Sequence, residues 1–311
     1  MSIVAVGTVA LDTIETPFGR AENILGGSAT YIALAARFFT DEVDLIAVVG
    51  NDFPAEHIEM LRARGVSTEG LQVDQSGTTF AWEGRYSYDL NDRETLATHL
   101  NVLSEFSPVI PERSRHRRLV CLGNLDPEIQ QKVLVQMNDH DLVVCDTMNY
   151  WIERTPDELS KTLKLVDCLI INDAEARQLA DEPNLIRAAT VIRALGPRIL
   201  VIKKGEHGAL LFADGAIFSA PAFPMEDIHD PTGAGDSFMG GFAGYLAMSR
   251  DYSVDSLKRA VVYGSAMASF VVERFGIESL ALLSRDVIDR RVDAFRVLGE
   301  IPTISPLNPV A

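Results

Sequence analysis

A glycine-rich stretch that ends in an acidic residue, DPTGAGDSFMGGF at 230–242, has residue types that suit phosphate chemistry. Gly233, Ala234 and Gly235 leave backbone N–H groups unobstructed at the start of an apolar helix, where the helix dipole adds about half a positive charge. Asp236 would lie in the first turn and could accept the proton of a hydroxyl that attacks a phosphate. The pattern therefore predicts an anion cradle with a base beside it, although an ordinary capped helix has similar residues.

The net charge of the chain makes such a cradle necessary if the ligand is an anion. The 311 residues include 28 basic and 44 acidic side chains, which give a formal net charge of −16. An acidic surface repels nucleic acid and anionic lipid, so we expect neither as a partner. The basic run at 113–118 precedes an apolar run, and we interpret it as a solvated loop.

The cysteines and the apolar runs bear on the compartment of the protein. Cys121, Cys145 and Cys168 are odd in number and form no C-x-x-C pair, so we interpret them as buried reduced thiols. The N-terminus lacks a basic signal-like start, and no apolar run approaches the roughly 18 residues that span a bilayer. These features predict a cytoplasmic protein without membrane contact.

The elements that would position the cradle alternate between apolar runs and helical patterns. The runs are continuously apolar, which is typical of parallel strands covered on both faces. Predicted strands occupy residues 3–7, 43–49, 119–122, 142–145, 168–171 and 199–202, and predicted helices occupy residues 54–64, 127–137, 156–166, 233–248, 253–274 and 285–297. This alternation is the βαβ pattern of an α/β domain.

Two segments depart from that alternation. Residues 72–103 interleave polar and aromatic side chains at period two around an Asn91–Asp92 turn, which predicts a small antiparallel sheet projecting from the main one. Asp214 and Gly215 stand between two apolar runs and predict a hairpin. No linker or repeat divides the chain, so we predict one domain over 1–311, with a lid from 72–104 and about 12–22.

Four motifs give the chain a resemblance to the ribokinase, or PfkB carbohydrate kinase, family. DPTGAGD resembles the family's C-terminal signature, and ILGGSATYIALAARF at 24–38 resembles its N-terminal one. NDAEA at 172–176 is similar to its N-x-x-E motif, and KKGEHG at 203–208 is similar to its K-x-G-x-x-G segment. The resemblance spans residue 3 to about residue 276. It implies a ribokinase-like three-layer α/β/α fold with a central, mostly parallel sheet, a small β-sheet lid, ATP in a groove and Mg²⁺ near the phosphates.

For the acceptor, the resemblance implies that Asp12 holds substrate hydroxyls while Gly26 and Gly27 permit close approach. A surface turn and a helix start explain these three residues without a substrate. Tyr31 stands where many relatives carry asparagine, so it would alter hydroxyl recognition and could stack on a base or ring. Further substrate candidates, for which structural roles fit at least as well, are Thr98, His99, Asn101, Asn124, Asp126 and Asn149.

For the nucleotide, the resemblance implies contacts from several segments besides Gly233 and Gly235. Asn172 matches the motif that positions the phosphates. Gly205 and Gly208 would bring their backbones close to ATP, and Ser265 lies in a stretch that matches the border of the adenine pocket.

For metals, the resemblance implies two sites. Glu175 would organise Mg²⁺ through water, since this ion keeps several waters around few protein oxygens. The spacing of Asn172 and Glu175 is also that of a helix cap. Asp230 and Thr232 match part of a monovalent-cation loop, which makes potassium a candidate cofactor.

Together these features predict an ATP-dependent kinase that phosphorylates a hydroxymethyl group of a nucleoside or ribose-like sugar. Asp236 would be the general base, and the N–H groups of the cradle would stabilise developing charge. Aromatic side chains at Phe80, Trp82 and Tyr86 favour a nucleoside over a free sugar.

Other functions on the same fold stay open. One is a kinase of another sugar or sugar phosphate, and another is a non-catalytic sugar or nucleotide sensor, which would be expected to have lost the base. A dehydrogenase is disfavoured because no G-x-G-x-x-G follows the first strand, and a Walker-type NTPase because G-x-x-x-x-G-K-[ST] does not occur.

The exposed edge of a lid sheet also predicts a homodimer.

Overall fold

The computed structural model describes residues 1–90 and 93–300, so the predicted Asn91–Asp92 turn lies outside the described residues. The strands are β1 (Ile3–Val6), β2 (Ala10–Thr16), β3 (Gly19–Gly26), β4 (Val43–Gly50), β5 (Val66–Asp74), β6 (Ala81–Tyr86), β7 (Arg93–His99), β8 (Leu119–Leu122), β9 (Leu142–Cys145), β10 (Cys168–Asn172), β11 (Ile199–Lys203), β12 (Ala209–Ala213) and β13 (Ala216–Ala220). The helices are α1 (Ser28–Ala36), α2 (Ala55–Ala63), α3 (Pro127–Leu134), α4 (Asn149–Arg154), α5 (Pro156–Leu163), α6 (Asp173–Ala180), α7 (Leu185–Ala194), α8 (Ala234–Ser249), α9 (Val254–Val271), α10 (Glu278–Leu282) and α11 (Arg285–Leu298).

Nine of the described strands form one large sheet in the order β13-β12-β11-β10-β9-β8-β1-β4-β5. Neighbouring strands from β11 to β5 are parallel, whereas β12 and β13 are antiparallel additions at one edge. The predicted strands are confirmed, and so is the predicted hairpin, because β12 and β13 pair across Asp214 and Gly215. Sequence reasoning did not identify β5, which alternates buried and partly exposed residues at the sheet edge.

Helices cover both faces of this sheet. Ile3 and Ala5 of β1 face a core built with α1, α8 and α9, whereas Val4 and Val6 face a second core built with α3, α5 and α7. Residues Ser237 to Ala247 of α8 are all buried. Two glycines allow the neighbouring helices to pack this closely. A Cβ on Gly240 would lie 2.5 Å from the Ile32 carbonyl oxygen of α1, and a Cβ on Gly241 would lie 2.7 Å from Met267 Cγ of α9. The helix that begins at the cradle is therefore fixed on several sides.

A second sheet, which we call the lid, has the strand order β3-β2-β6-β7. It takes β6 and β7 from the predicted segment at 72–103, while residues 72–74 complete β5 in the large sheet. The lid is mixed and not antiparallel as predicted, because β2 and β6 run parallel. Its strand β2 carries Asp12, and β3 leads through Gly26 and Gly27 into α1, so the lid is joined directly to a helix that packs on the large sheet.

Other predictions have mixed outcomes. The three cysteines are buried and free, as expected. The basic run is not simply solvated, since Arg117 Nε donates to Oδ2 of the buried Asp44 at 2.6 Å and the Arg117 side chain is only 17% exposed. An ion pair on the surface would contribute little to stability, but the pair of Arg117 with the buried Asp44 attaches the basic run to strand β4. Within residues 1–90 and 93–300, no helix combines the length and apolar character needed to cross a membrane.

Candidate active site

The glycine-rich stretch forms the turn into α8, as the sequence predicts. Gly233 is the N-cap with φ 77°, a left-handed conformation that favours glycine, and Asp236 lies in the first turn. Helix geometry leaves the N–H groups of Gly235 and Asp236 without an intrahelical partner. The N–H of Ala234 instead donates to the Pro231 carbonyl oxygen at 3.2 Å. The cradle therefore offers Gly235 and Asp236 to an anion, and Ala234 mainly closes the turn.

Tyr31 lies directly beneath the cradle. It belongs to α1 and is 1% exposed. A Cβ on Gly233 would lie 2.4 Å from Cε2 and Cζ of Tyr31, so the phenol end of the ring packs against the Gly233 backbone. This face of the ring is covered and is not available to stack on a base.

Lys203 lies beside the cradle, although its function was left open by the sequence. It is the last residue of β11, and its Nζ lies 2.7 Å from the place where a Cβ on Gly235 would be. An ammonium group at that distance from the helix N-terminus adds positive charge where an anion would bind. Glycine at 235 keeps this approach open.

The electrostatic setting of Asp236 suits a proton acceptor. Burial raises the pKa of Asp236 to about 7, and the negative charges of Asp146 and Glu175 act in the same direction. The positive charges of Lys203 and Arg93 oppose this rise. A carboxyl group with a pKa near neutrality can take up and release a proton under physiological conditions.

Asp146 and Glu175 form a pair of acidic groups at the carboxyl ends of neighbouring strands. Asp146 follows β9, and Glu175 lies in the first turn of α6 after β10. Burial raises the pKa of Asp146, and burial followed by the charge of Asp146 raises the pKa of Glu175 to about 7. The carboxyl edge of an open α/β sheet is where ligands bind, and Asp146 and Glu175 place two acidic groups at this edge.

The N-x-x-E motif forms the helix cap that the sequence offered as one of its two explanations, and its magnesium role stays a prediction. Asn172 Oδ1 accepts from the Glu175 N–H at 2.8 Å, and Glu175 Oε2 accepts from the Asn172 N–H at 2.8 Å. This is a capping box, which fixes the Glu175 side chain at the helix start. The cap thereby holds the carboxylate beside Asp146 without consuming all of its lone pairs.

Asp12, the residue predicted to hold the acceptor, lies on lid strand β2. This residue is 4% exposed, and a Cβ on Gly26 would lie 2.0 Å from its Oδ2. The backbone N–H groups of Trp82 and Gly27 act on the carboxylate and lower its pKa, whereas Oδ1 has no hydrogen-bond partner among the described residues. Burial, followed by the charges of Asp230 and Asp236, raises the pKa of Asp12 to about 7. The close fit of Gly26 and the unpaired oxygen are what a hydroxyl-binding carboxylate requires.

Asp230 ties the cradle to the segment after α9. Its Oδ1 accepts from the Thr232 N–H at 2.8 Å and its Oδ2 from the Gly276 N–H at 3.1 Å. Thr232 Oγ1 also lies 3.0 Å from the hydroxyl of Tyr86 on β6. The lid and the loop that precedes the cradle are therefore hydrogen-bonded to each other, and Tyr86 is engaged there and not free to stack on a base.

The residues predicted to contact the nucleotide lie in two separate segments, the turn after β11 and helix α9. Gly205 and Gly208 flank a short turn after β11, where the Lys204 N–H donates to the Gly208 carbonyl at 2.7 Å. A Cβ on Gly208 would lie 2.1 Å from the Ala220 carbonyl oxygen, so packing alone already favours glycine there. Ser265 is partly buried on α9. Their contacts with ATP stay a prediction.

Several polar candidates have structural contacts. The Asn101 side chain donates to the Thr79 carbonyl oxygen at 2.8 Å. Asp126 caps α3 through the Glu128 N–H at 2.8 Å, and Asn124 accepts from the Trp151 indole at 2.8 Å. The remaining candidates, Thr98, His99 and Asn149, are exposed. Substrate roles for these residues stay predictions.

Arg93 is a functional candidate that the sequence analysis missed. It pairs with Tyr86 across β6 and β7, and its guanidinium carbon lies 5.4 Å from the centroid of the Trp82 ring. Its positive charge lowers the pKa of Asp236, Asp146 and Glu175. The lid therefore contributes a positive charge that acts on the acidic groups at the edge of the large sheet. In the sequence, Arg93 is distinguished only as a single arginine that follows the predicted Asn91–Asp92 turn.

Comparison with known proteins places this site in a family. The model of the pfkB family carbohydrate kinases matches residues 2–282. The cytidine kinase of Thermococcus kodakarensis is 28% identical over 288 residues, which cover 91% of this chain and all of that protein. A nucleoside kinase of Methanothermobacter thermautotrophicus is 26% identical, with 89% of this chain and 91% of that protein covered.

Solved structures show the same fold. The nucleoside kinase of Methanocaldococcus jannaschii superposes with a TM-score of 0.76 at 22% identity, covering 94% of this chain and 98% of that one. A Burkholderia thailandensis nucleoside kinase in complex with inosine also gives 0.76, at 19% identity, covering 94% and 97%. These matches confirm the predicted ribokinase-like fold. The family model spans most of the chain, so the protein belongs to the pfkB family of carbohydrate kinases and is an ATP-dependent kinase.

Proposed function

We propose that this kinase transfers the γ-phosphoryl group of ATP to a hydroxymethyl group of a nucleoside or ribose-like sugar, with Asp236 as general base. The observation that carries the proposal is the place of Asp236 in the first turn of α8, next to the cradle. With a pKa of about 7, it is about half ionised at neutral pH and can accept the proton of the attacking hydroxyl.

Charge that develops on the transferred phosphoryl group would meet four donors. Two of them are the N–H groups of Gly235 and Asp236, which have no partner within α8. The third is the Lys203 ammonium beside Gly235, and the fourth is Arg93 of the lid. Such fixed donors are effective because they need no reorganisation during the reaction. Closure of the lid over the cleft would also exclude water and suppress ATP hydrolysis.

Asp146 and Glu175 fit the magnesium ion that accompanies ATP. Burial raises the pKa of both groups, and the charge of Asp146 raises that of Glu175 further; a divalent cation would stabilise both carboxylates in their charged form. No group of three or more His, Cys, Asp or Glu side chains in the described chain could hold a metal alone. Two carboxylates with water and phosphate oxygens are a usual environment for Mg²⁺, which when bound neutralises phosphate charge.

A nucleoside is our preferred acceptor. The relatives named a cytidine kinase and nucleoside kinases cover nearly the whole chain, and one neighbour of the same fold was solved with inosine. Phe80 and Trp82 keep partly exposed rings in the lid segment. A sugar or sugar phosphate is the alternative, because a ribokinase of Bacillus subtilis is 26% identical to this chain.

Potassium and dimer formation stay separate predictions. One observation supports the monovalent-cation site predicted at Asp230 and Thr232. Each carboxylate oxygen of Asp230 accepts one N–H bond and keeps a lone pair that could bind a cation. β3 and β7 form the two edges of the lid sheet and could pair with a second copy. Omission of K⁺ from the assay and sedimentation of the purified protein test these two points.

The test is a screen of ATP consumption with Mg²⁺ across cytidine, inosine, other nucleosides, ribose, fructose and hexose phosphates. We expect turnover with one nucleoside class and a product phosphorylated on its hydroxymethyl group, identified by mass spectrometry and ³¹P NMR. Turnover confined to a sugar phosphate would replace the preferred acceptor. Nucleotide binding without turnover on any acceptor would contradict the proposal and favour the sensor.

A further inference from the structure

Tyr86 joins the lid to the loop that leads into the cradle. It is a buried residue at the end of β6, and its hydroxyl oxygen lies 3.0 Å from Thr232 Oγ1. The lid meets the same loop at a second place, where the Phe18 ring packs edge-on against the His229 ring with 5.9 Å between the centroids. The lid is therefore seated on residues 229–232 through both a hydrogen bond and an aromatic contact.

Arg93 stands beside Tyr86 but is held by little packing. The two residues are directly opposite each other in the β6–β7 register, so their side chains leave the same face of the lid. The Arg93 side chain is exposed, and its guanidinium carbon lies 5.4 Å from the centroid of the Trp82 ring. An exposed arginine has many rotamers. A fixed direction toward the acidic groups of the site therefore requires a polar partner.

The donors and acceptors around Tyr86 fit together in one direction only. A guanidinium group can only donate, so Arg93 can use only the oxygen of the Tyr86 hydroxyl, and the single phenolic proton is left for Thr232 Oγ1. Burial raises the pKa of Tyr86 to about 12, whereas hydrogen bonds with Thr232 and Arg93 and the charge of Arg93 lower it. Burial also raises the pKa of Asp230, and the Thr232 hydroxyl and N–H oppose that rise. The hydroxyl of Thr232 can thus pass its own proton toward Asp230.

We propose that Tyr86 is a positioning residue that holds the Arg93 guanidinium toward the transferred phosphoryl group while the lid is seated on Thr232. The chain of donors then runs from Arg93 through Tyr86 and Thr232 to Asp230. This inference rests on the proposed function, which gives Arg93 the developing phosphoryl charge, and deepens it by naming what fixes that arginine. A lid that leaves the loop would release Tyr86 and the arginine together, so the full set of donors exists only in the seated lid.

A double-mutant cycle tests the inference with ATP, Mg²⁺ and the acceptor found in the screen. Tyr86→Phe keeps the ring and removes the hydroxyl, so we expect kcat to fall about tenfold while the KM values for ATP and acceptor change by less than about threefold. In the Arg93→Ala background the same substitution should lower kcat by less than about twofold, because no arginine remains to be positioned.

The other end of the contact provides a second pair of variants. Thr232→Val removes the hydroxyl at nearly constant volume and should lower kcat about as much as Tyr86→Phe, whereas Thr232→Ser keeps a hydroxyl and should recover most of the loss. If Tyr86→Phe does not fold in a urea titration, this pair measures the same contact, and equal kcat values in its two members would overturn the inference.

Controls separate positioning from structure and from substrate binding. Tyr88→Phe, which removes an exposed phenol from the lid, should leave kcat unchanged. Equal losses in the wild-type and Arg93→Ala backgrounds would show a purely structural role for Tyr86, and a raised acceptor KM at constant kcat would show direct substrate contact; either result would overturn the inference. Turnover that depends on Asp236 but not on Tyr86 would leave the proposed function standing without it. Absence of turnover in wild type would remove both.

Discussion

The contact between Gly233 and Tyr31 makes the position of the cradle sensitive to a single methyl group. Gly233→Ala adds a Cβ at a residue with φ 77°, and this atom would lie 2.4 Å from two atoms of a ring that is 1% exposed. The chain offers a matched control in Gly215, at the β12–β13 turn. Gly215 has φ 80°, but an added Cβ would meet no described atom within 4 Å.

The difference between the two variants isolates the overlap. An alanine in the left-handed region costs about 1–2 kcal/mol, and both variants carry that cost. Forcing a methyl group into a packed interior costs about 1–3 kcal/mol more, and only Gly233→Ala carries this second cost. We therefore expect the free energy of unfolding to fall by about 2–5 kcal/mol in Gly233→Ala and by about 1–2 kcal/mol in Gly215→Ala.

Activity should separate the variants further. Relief of the overlap must move Gly233 or the ring, which displaces the N–H groups that precede Asp236, and a shift of about 1 Å can cost about 10²-fold in rate. The assay combines urea unfolding, followed by circular dichroism, with steady-state turnover of the acceptor found in the screen. Gly215→Ala should turn over like wild type. Equal stability of the two variants, with normal turnover in Gly233→Ala, would refute the packing described for Tyr31.

Two further predictions concern charge. Arg93→Ala should lower kcat by about 10²-fold if the lid arginine stabilises phosphoryl charge. The control Arg85→Ala, which removes a lid arginine paired with Glu15, should change kcat by less than about threefold. Similar losses of kcat in both variants would contradict this role of Arg93. The pKa values of Asp12, Asp236 and Glu175 are raised to about 7, so the folded state holds protons that the unfolded state releases near pH 4. The contribution of these groups to stability is therefore largest at low pH and is lost as pH rises through about 7. The unfolding free energy of the ligand-free protein should therefore fall between about pH 6 and pH 8, and it should fall less steeply in Asp12→Asn. A rise of the unfolding free energy over that interval would show that these carboxyl groups are not protonated in the folded protein.

The fold was predictable because its determinants are local. Short continuous apolar runs are typical of strands covered on both faces, and Ile3–Val6 and Leu119–Leu122 are indeed buried throughout. The cradle was predictable for the same reason, since Gly233 and Asp236 form one turn of one helix. Lid strand β6 was visible from its alternation, but its parallel pairing with β2 was not, because that partner lies some 70 residues earlier in the chain.

The charged part of the site was less predictable because it is assembled from separate segments. Lys203, Asp146 and Arg93 come from the end of β11, the end of β9 and the start of β7. The rule that selects polar residues at the ends of parallel strands identified Asn124 and would equally have identified Asp146. No local pattern indicates that the Lys203 amine reaches Gly235, since that contact depends on the packing of α8 against the sheet.

The role of Tyr31 also required the structure. The sequence showed only a departure from the asparagine of many relatives, and an aromatic residue near a substrate suggests stacking. In the fold the ring is buried with its phenol end against Gly233, under the cradle, so this face of the ring cannot stack on a base. A side chain's direction on a buried helix depends on its neighbours, which in this case come from α8 and the lid.

The most direct test of the central claim compares wild type with Asp236→Asn in single turnover, with ATP binding measured separately. Asparagine keeps the size of the side chain but cannot accept the proton, so phosphoryl transfer should slow by about 10²–10⁴-fold while ATP affinity changes little. Asp286→Asn, which changes an exposed aspartate in the first turn of α11, serves as the control and should be unaffected. Transfer at a nearly normal rate in Asp236→Asn would contradict the assignment of Asp236 as the base.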